Sequence, residues 1–344
     1  MKKIVLLSTA MALSLSADPL MTYIGAKAKG MGGAFTAVAN NNSAMYFNPA
    51  GLVNFEGLDN TMVTLEGGTG AQISELPGEE KYDTTGTYFF GISGIAGDSG
   101  FGFAYYSLYD LELKNDGSSY ASSTLREEIE VLSLSFAYKV IDQIYPGGGI
   151  LSIGATAAYA GSFAGESDFD VIEVSGSFFA VGLKMRLLND MEYKIDIGAN
   201  YRTYGELSNV AETANGIGIP QETAFGIAGS YGNEIGLFTL SADYKQTGYE
   251  EATADTAFQI RIGDTTTTNV GFEYANPLYQ LRTGYYETTY TSGNSNSVTG
   301  FTGGVGIVID TISLEASYDQ RTYTEATEET SLGFVTVSLN LAIE

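Results

Sequence analysis

From about residue 58 to the end of the chain, apolar and polar side chains alternate with a period of two, the repeat of an extended strand with one apolar and one polar face. Three segments show it best. In 193–202, Tyr193, Ile195, Ile197, Ala199 and Tyr201 alternate with Lys194, Asp196, Gly198, Asn200 and Arg202. In 238–245, Phe238, Leu240, Ala242 and Tyr244 alternate with Thr239, Ser241, Asp243 and Lys245; in 312–319, Ile312, Leu314, Ala316 and Tyr318 alternate with Ser313, Glu315, Ser317 and Asp319. The pattern predicts fourteen strands, at 58–74, 86–96, 100–113, 127–140, 150–163, 169–187, 192–204, 221–231, 235–247, 265–275, 278–290, 297–309, 311–323 and 328–343. Most run 11–16 residues, against about 5–6 in globular sheets and about 9–11 for a tilted bilayer crossing.

A soluble sandwich with its apolar face inward would alternate in the same way. Strand length and loop rhythm separate the two. Short turns are predicted at Gly97 to Ser99, Leu188 to Met191, Gly232 to Glu234, Asn276 with Pro277, and Asp310, with longer polar loops such as 114–126, 205–220 and 248–264 between them. Short turns at one end and long loops at the other mark an outer-membrane barrel. Tyr109, Tyr204, Tyr249, Tyr290 and Tyr323 lie toward the long-loop ends and are expected to form an aromatic girdle at the membrane boundary, ordinary cross-strand aromatic pairing being the alternative. An even number of strands that closes on itself leaves no unpaired edge in lipid. The expected fold is all-β, a transmembrane antiparallel β-barrel of about fourteen strands over 58–344.

The first residues bear on location. Lys2 and Lys3 precede an apolar run, Ile4 to Leu15, followed by small residues at Ser16 and Ala17. This is the layout of a secretory signal peptide, too short to span a bilayer as a helix, with cleavage expected after Ala17 or, alternatively, Ser16. Export to the outer membrane of a Gram-negative-type cell follows from the signal and the barrel together. Removing residues 1–17 moves the formal net charge from −25 to −27.

Composition narrows the chemistry. The 344 residues include 43 Gly and 24 Tyr, with no Cys, Trp or His. The acid excess argues against nucleic acid and against docking on anionic lipid, and reads as solvated loops. Without His or Cys there is no base for Ser–His hydrolysis, no Cys–His pair, and no zinc site with those ligands. The chain is therefore expected not to be an enzyme and to need no cofactor or metal. Glu127-Glu128, Glu250-Glu251 and Glu328-Glu329 fall in or beside loops, and Glu166, Asp168 and Asp170 match no recognisable calcium loop.

Function is expected on the lumen face. Lys184, Arg186, Lys194, Asp196, Arg202, Asp243, Lys245, Glu273, Arg282 and Glu315 are predicted to point inward. They would form a charge-paired network that fills the barrel, or line a water-filled passage for polar solutes; their mixed signs favour the network. Ile172, Val174 and Phe178 are also predicted to face the lumen, opposite Phe179, Val181, Leu183 and Met185. Such a patch suits a hydrophobic ligand, or packing against an internal segment.

Residues 18–57 read differently. Gly25-Ala26-Lys27-Ala28-Lys29-Gly30-Met31-Gly32-Gly33-Ala34-Phe35 is rich in small residues, and Asn40-Asn41-Asn42-Ser43 and Asn48-Pro49-Ala50-Gly51-Leu52 add turn formers. A compact element packed inside something else is expected, with a short helix over 42–47 and a Pro-capped turn. A dinucleotide-binding loop is excluded, since no strand precedes the glycines and no acidic residue follows at the required distance.

The stretch GAKAKGMGGAFTAVANNNSAMYFNPAGL resembles the N-terminal hatch of the FadL/TodX family of outer-membrane transporters for hydrophobic compounds. Three later stretches resemble that family's barrel: Ile219 to Thr223 running into Gly226 to Tyr231, Leu240 to Thr247, and Val270 to Tyr274 followed by Leu281 to Tyr285. The resemblance implies a monomeric fourteen-stranded barrel in outer-membrane lipid, with a hatch (18–57) in its lumen. It implies passage of long-chain fatty acids or aromatic hydrocarbons through an apolar lumen pocket, released by hatch movement or a kinked third strand. Asn48, Pro49 and Ala50 would be hatch elements shaped by Gly25, Gly30, Gly32 and Gly33, and in the third strand Gly102 would permit a kink while Asp110 interrupts an apolar run. The chain departs from the family in its short length and in ending on Ile343-Glu344, where many such barrels finish on an aromatic. A PorV-like barrel that binds secreted proteins and a general porin are the competing readings.

Overall fold

The computed structural model describes residues 24–53, 61–72, 82–83, 87–114, 124–145, 147–164, 172–190, 192–209, 218–248, 264–291, 297–325 and 328–343. The segment 1–17, expected to be a signal peptide, lies outside them. Fourteen long strands follow the N-terminal segment: β1 Thr61–Gln72, β2 Thr87–Ala96, β3 Ser99–Lys114, β4 Thr124–Ile141, β5 Ile150–Ala164, β6 Ile172–Asn189, β7 Tyr193–Arg202, β8 Gln221–Asn233, β9 Gly236–Gly248, β10 Thr265–Ala275, β11 Tyr279–Tyr290, β12 Ser297–Ile309, β13 Ile312–Glu325 and β14 Glu328–Ile343. Each pairs antiparallel with its chain neighbours, and β1 closes the sheet against β14 from Thr61↔Ile343 to Gln72↔Leu332. Two two-residue strands, Tyr82–Asp83 and Ser208–Asn209, add to β3 and β6 near the long-loop end. The sheet is a closed antiparallel barrel, as the alternation predicts, and its boundaries lie within a few residues of the predicted ones.

Closure satisfies the ladder of every strand, and the side chains then divide between two faces. Outward positions are apolar and exposed: Leu134 is 63 % exposed and Phe179 58 %, whereas neighbouring Phe178 is 3 % exposed and points inward. Inward positions are largely polar and buried, among them Thr156, Asn200, Asp243, Glu273, Arg282 and Glu315. A soluble protein does the reverse. An apolar belt around a polar interior is the arrangement that lipid demands. Among the described residues no helix is long and apolar enough to cross a membrane.

Connections alternate in length. At one end lie 97–98, 142–149, 190–192, 234–235, 276–278 and 310–311; at the other lie 73–86, 115–123, 165–171, 203–220, 249–264, 291–296 and 326–327. The alternation is not strict, since 142–149 spans eight residues at the turn end while 291–296 and 326–327 span six and two at the loop end. Asp310 takes φ 55° in its turn, a left-handed conformation that Asp tolerates better than most residues.

The aromatic girdle differs from expectation. A continuous run of outward rings lies at the turn end: Tyr193–Tyr231 at 5.1 Å, Tyr231–Phe238 at 6.5 Å, Phe238–Tyr274 at 5.0 Å and Tyr274–Tyr279 at 5.8 Å. Toward the loop end the outward aromatics include Tyr88, Tyr105, Tyr159, Tyr201 and Tyr244. Tyr290 belongs to neither band, because on β11 it shares the parity of Arg282 and Tyr286 and packs inside against Tyr286 and Val298. Tyr204 lies past the end of β7, half-buried, and the side chains of Tyr109, Tyr249 and Tyr323 lie outside the described residues.

Placing a charge in the belt tests this orientation. Leu134→Arg is expected to cost about 2–4 kcal/mol of folding into lipid, the penalty of Arg near a bilayer midplane. Denaturant unfolding in lipid vesicles measures it, and a near-zero cost would contradict a lipid-facing Leu134.

Candidate functional site

Residues 24–53 lie inside the barrel. The segment has a five-residue helix, α1 (Ala26–Gly30), a second short helix, α2 (Ala44–Phe47), and a 3-10 turn at Pro49–Leu52. Helices this short cannot satisfy their own terminal amides, so the wall supplies partners. Glu66 on β1 accepts from the Gly25 and Ala26 N–H groups at 2.6 and 2.9 Å. Asp243 on β9 accepts from Phe35 and Thr36 at 2.8 and 2.7 Å. Carbonyls are met as well: Lys184 donates to Val38 and Ala39, Ser241 to Ala34, Asn269 to Gly32, Thr302 to Gly30 and Ser152 to Ala50, at 2.6–3.1 Å.

Asn48 organises the second half of the segment. Its amide donates to the carbonyls of Thr36 (2.8 Å) and Leu183 of β6 (3.0 Å), and its oxygen caps the Ala50 N–H at 3.2 Å. Pro49 then starts the 3-10 turn without a wasted donor. Asn48, Pro49 and Ala50 lie so close to Gly182 and Gly154 in the wall that neither position has room for a Cβ. Of the predicted shaping glycines, Gly25, Gly32 and Gly33 have φ of 81°, 65° and 78°, and Gly32 packs directly on Gly284. Gly30 has ordinary φ but sits against Gly304 and the Arg282 side chain. The helix expected over 42–47 is present as α2; α1 was not expected.

The charged inward residues form clusters rather than one network. Arg186 and Asp196 pair through two bonds at 2.8 and 3.1 Å near the turn end, where Lys194 is half-buried. Toward the loop end Glu222 bridges Arg202 (3.2 Å) and Lys245 (3.7 Å), and the Arg202 guanidinium lies 5.3 Å over the Tyr46 ring. Elsewhere at the turn end Arg282 joins Glu273 (2.6 Å) and Glu315 (2.8 Å), and Lys27 of α1 reaches Glu273 at 3.0 Å. Asp319 accepts from Arg321 (2.8 Å) and Tyr286 (3.0 Å), with Lys29 at 4.0 Å. Asp243 stands apart from the ion pairs and serves the backbone of the N-terminal segment instead. Sequence reading missed Glu66, Glu222, Asp319 and Arg321. Their signal was available, since each occupies an inward parity position.

The opposite side of the lumen is apolar. Phe89 of β2, Tyr106 and Leu108 of β3, Ile129 and Val131 of β4 and Phe178 of β6 pack with Phe35, Met45 and Tyr46 of the N-terminal segment. The rings meet edge-on: Phe35–Phe47 at 5.5 Å, Tyr46–Phe47 at 5.0 Å and Tyr46–Tyr106 at 6.2 Å. Where this apolar sector meets the charged one there is a small cavity of about 40 Å³, lined by Phe47, Tyr46, Thr36, Lys29, Glu222, Asp243, Lys245, Asn269 and Tyr286. Phe178 thus joins the lumen patch as predicted; the side chains of Ile172 and Val174 lie outside the described residues.

The third strand departs from expectation. Gly102 pairs regularly with Ser93 and Ser135, and the irregularity falls six residues on, between Ser107 and Tyr109, where Leu108 is the extra residue. A Cβ at Gly102 would run into Met45 and Leu52. Close packing of the N-terminal segment therefore accounts for this glycine, and no kink is present there. The Asp110 backbone pairs with Glu128, and its side chain lies outside the described residues.

These features define a transmembrane β-barrel whose lumen is occupied by its own N-terminal segment. No family model and no curated protein matches the sequence. Solved structures do match in fold. The CymD monoaromatic hydrocarbon channel superposes with a TM-score of 0.68 at 14 % identity, covering 93 % of this chain and 97 % of that one. The Ralstonia pickettii toluene transporter TbuX gives 0.66 at 15 %, covering 93 % and 98 %, and a Pseudomonas aeruginosa FadL homologue gives 0.56 at 12 %, covering 92 % and 97 %. At this identity the likeness establishes a shared fold over nearly the whole length of each chain.

Asn48→Ala removes the cap and both carbonyl contacts. The loss is expected to cost about 1–3 kcal/mol locally, raising amide exchange over residues 35–51 by about fivefold or more while the strands stay protected. Unchanged protection there would show that Asn48 does not hold the segment.

Proposed function

We propose that this chain is a passive outer-membrane transporter for hydrophobic small molecules, with residues 18–57 acting as a movable hatch. One observation carries the reading: an otherwise polar lumen has an apolar, aromatic sector toward its loop end. A barrel that conducted polar solutes would gain nothing from burying Phe89, Tyr106 and Phe178 there. An apolar solute entering that sector exchanges water for aromatic contact, and burial of apolar surface is worth about 25 cal/mol per Å². The ring of half-buried Phe47 lies at the cavity, so modest displacement of the hatch would enlarge it. The channels named above have the same fold, which supports the reading.

The physical task is passage across the polar saccharide layer, where an apolar solute meets a barrier. No bond is made or broken, so the reading is of a channel and not an enzyme, acting as a monomer in outer-membrane lipid. The hatch is held by hydrogen bonds and ion pairs to the wall, each worth about 0.5–1.5 kcal/mol for neutral pairs and about 1.5–3 kcal/mol where one group is charged. Contacts of that size are exchangeable one after another, which suits a plug that shifts without unfolding the barrel.

Two measurements test the proposal. Saturable binding of alkyl aromatics or fatty acids by the delipidated mature protein is expected, with near-silent bilayer conductance; a sustained large current would mean an open porin, and absence of binding would end the transporter reading. Hatch movement is tested by Lys27→Cys with Glu273→Cys, a pair joined at 3.0 Å in the native protein. Bridging the two thiols with a short bis-maleimide is expected to abolish uptake that the unbridged double variant retains. Equal uptake in both would show that the hatch stays fixed.

A further inference from the structure

We propose that the barrel thins the bilayer on one side, beside β8 to β11, so that the partner this face fits is a compressed patch of lipid. The inference comes from the height of the apolar belt, strand by strand. It needs the barrel to lie in a bilayer and is independent of what the lumen carries.

Outward positions can be followed along each strand until polar residues end the belt. On β4 they are Leu132, Leu134, Phe136, Tyr138 and Val140, all exposed, with Glu130 beyond Leu132. That run covers eight residue steps. β5 runs as far, from Leu151 to Tyr159, as does β7 from Tyr193 to Tyr201, and β6 keeps pace from Phe179 to Leu188 across its bulge. The next strands fall short. β8 has six steps, Phe225 to Tyr231, between Thr223 and Asn233, and β9 has six, Phe238 to Tyr244, ended by Gln246. On β10 only Val270, Phe272 and Tyr274 remain, four steps between Thr268 and Asn276. β11 has six, Tyr279 to Tyr285, interrupted by Thr283 and ended by Glu287.

At about 3.4 Å per residue and a tilt near 40°, eight steps span a height of about 21 Å and four steps about 10 Å. A six-step run recurs on β13, Ile312 to Tyr318, but its neighbours have eight, Phe301 to Ile309 on β12 and Val335 to Ile343 on β14. The shortfall is therefore contiguous only over β8 to β11. In a ring of fourteen strands β4 and β11 stand seven apart, so the tall and short sides face each other across the barrel. Exposed apolar turn residues do not make up the difference, because both sides have them: Ile144 beside β4, Ile235 and Leu278 on the short side.

The hydrocarbon layer of a bilayer is about 30 Å thick, and the short side has to resolve the mismatch. Tilting the barrel moves that side up or down without lengthening it. Sinking Gln246 and Glu287 strips an amide and a carboxylate of water, and hydrocarbon offers no partner in return. Thinning a fluid bilayer costs little per ångström. Lipid is the softer component, and it yields.

The chain has no native cysteine, so single nitroxide labels can be placed one at a time on the mature protein in dioleoyl phosphatidylcholine vesicles. The sites are Thr268→Cys and Pro277→Cys, at the two edges of β10, and Leu132→Cys and Val140→Cys, almost the same distance apart on β4. Accessibility to a water-soluble nickel chelate, relative to oxygen, reads depth. Both β10 labels are expected at headgroup level, with a ratio at least fivefold above that of either β4 label. A smaller difference at either β10 site would mean a flat bilayer and would overturn the proposal. Water-level readings at all four sites would instead show that the barrel does not lie in the membrane, and that reading would fall with the proposal. If a β10 variant lacks the wild-type strand content by circular dichroism, Gln246→Cys and Glu234→Cys sample the same two edges on β9.

Discussion

Hydrocarbon offers a peptide group no hydrogen-bond partner, and this constraint governs the rest of the molecule. It forces the strands into a closed ladder, with β1 joined to β14 and β3 to β4. Once the ladder is closed, the period of two leaves each strand a single choice of which face meets lipid. The face turned outward is apolar, and every Asp, Glu, Lys or Arg of the inward parity is committed to a confined interior. That interior then has to neutralise its charges and fill its volume.

The N-terminal segment does both. Its helices are too short to stand alone, and its exposed amides are the donors that Glu66 and Asp243 accept. Its lysines answer acids of the wall, Lys27 at Glu273 and Lys29 at Asp319. Conversely, the glycines of the wall at 154, 182 and 284 leave room for its backbone. Barrel and segment therefore complete one another: the segment has no core without the wall, and the wall has unanswered acids without the segment.

The filling is uneven around the barrel. From β6 to β13 the inner face is charged and paired, whereas from β2 to β6, toward the loop end, it is aromatic and aliphatic. The charged sector fixes the segment by directional bonds. The apolar sector holds it by contact that an apolar solute reproduces equally well. Polar contacts reach it on this side too, but nearer the turn end, from Asn42 to the Gly91 carbonyl and from Ser152 and Thr156 to the Ala50 and Met45 carbonyls; the cavity lies where the two sectors meet, against Phe47.

The sequence by itself determined the fold class, the strand count and nearly all strand boundaries, because period-two alternation and lipid together allow one solution. It also determined which face each charge occupies, since parity along a strand is a local property; Lys194, Asp196, Arg202, Asp243, Lys245 and Arg282 all lie where alternation puts them. Tertiary structure alone decided who meets whom. Glu222 as the bridge between Arg202 and Lys245, and Asp243 as an acceptor for Phe35 and Thr36, depend on strand register and on contacts across some 20 to more than 200 positions of sequence. The same holds for Gly102, whose role is set by Met45 pressing on it and not by its own freedom, and for Tyr290, whose parity turns it inward although its place near a loop suggested the girdle. Alternation fixes direction but not distance, and only a folded barrel brings a side chain's distant partners within reach.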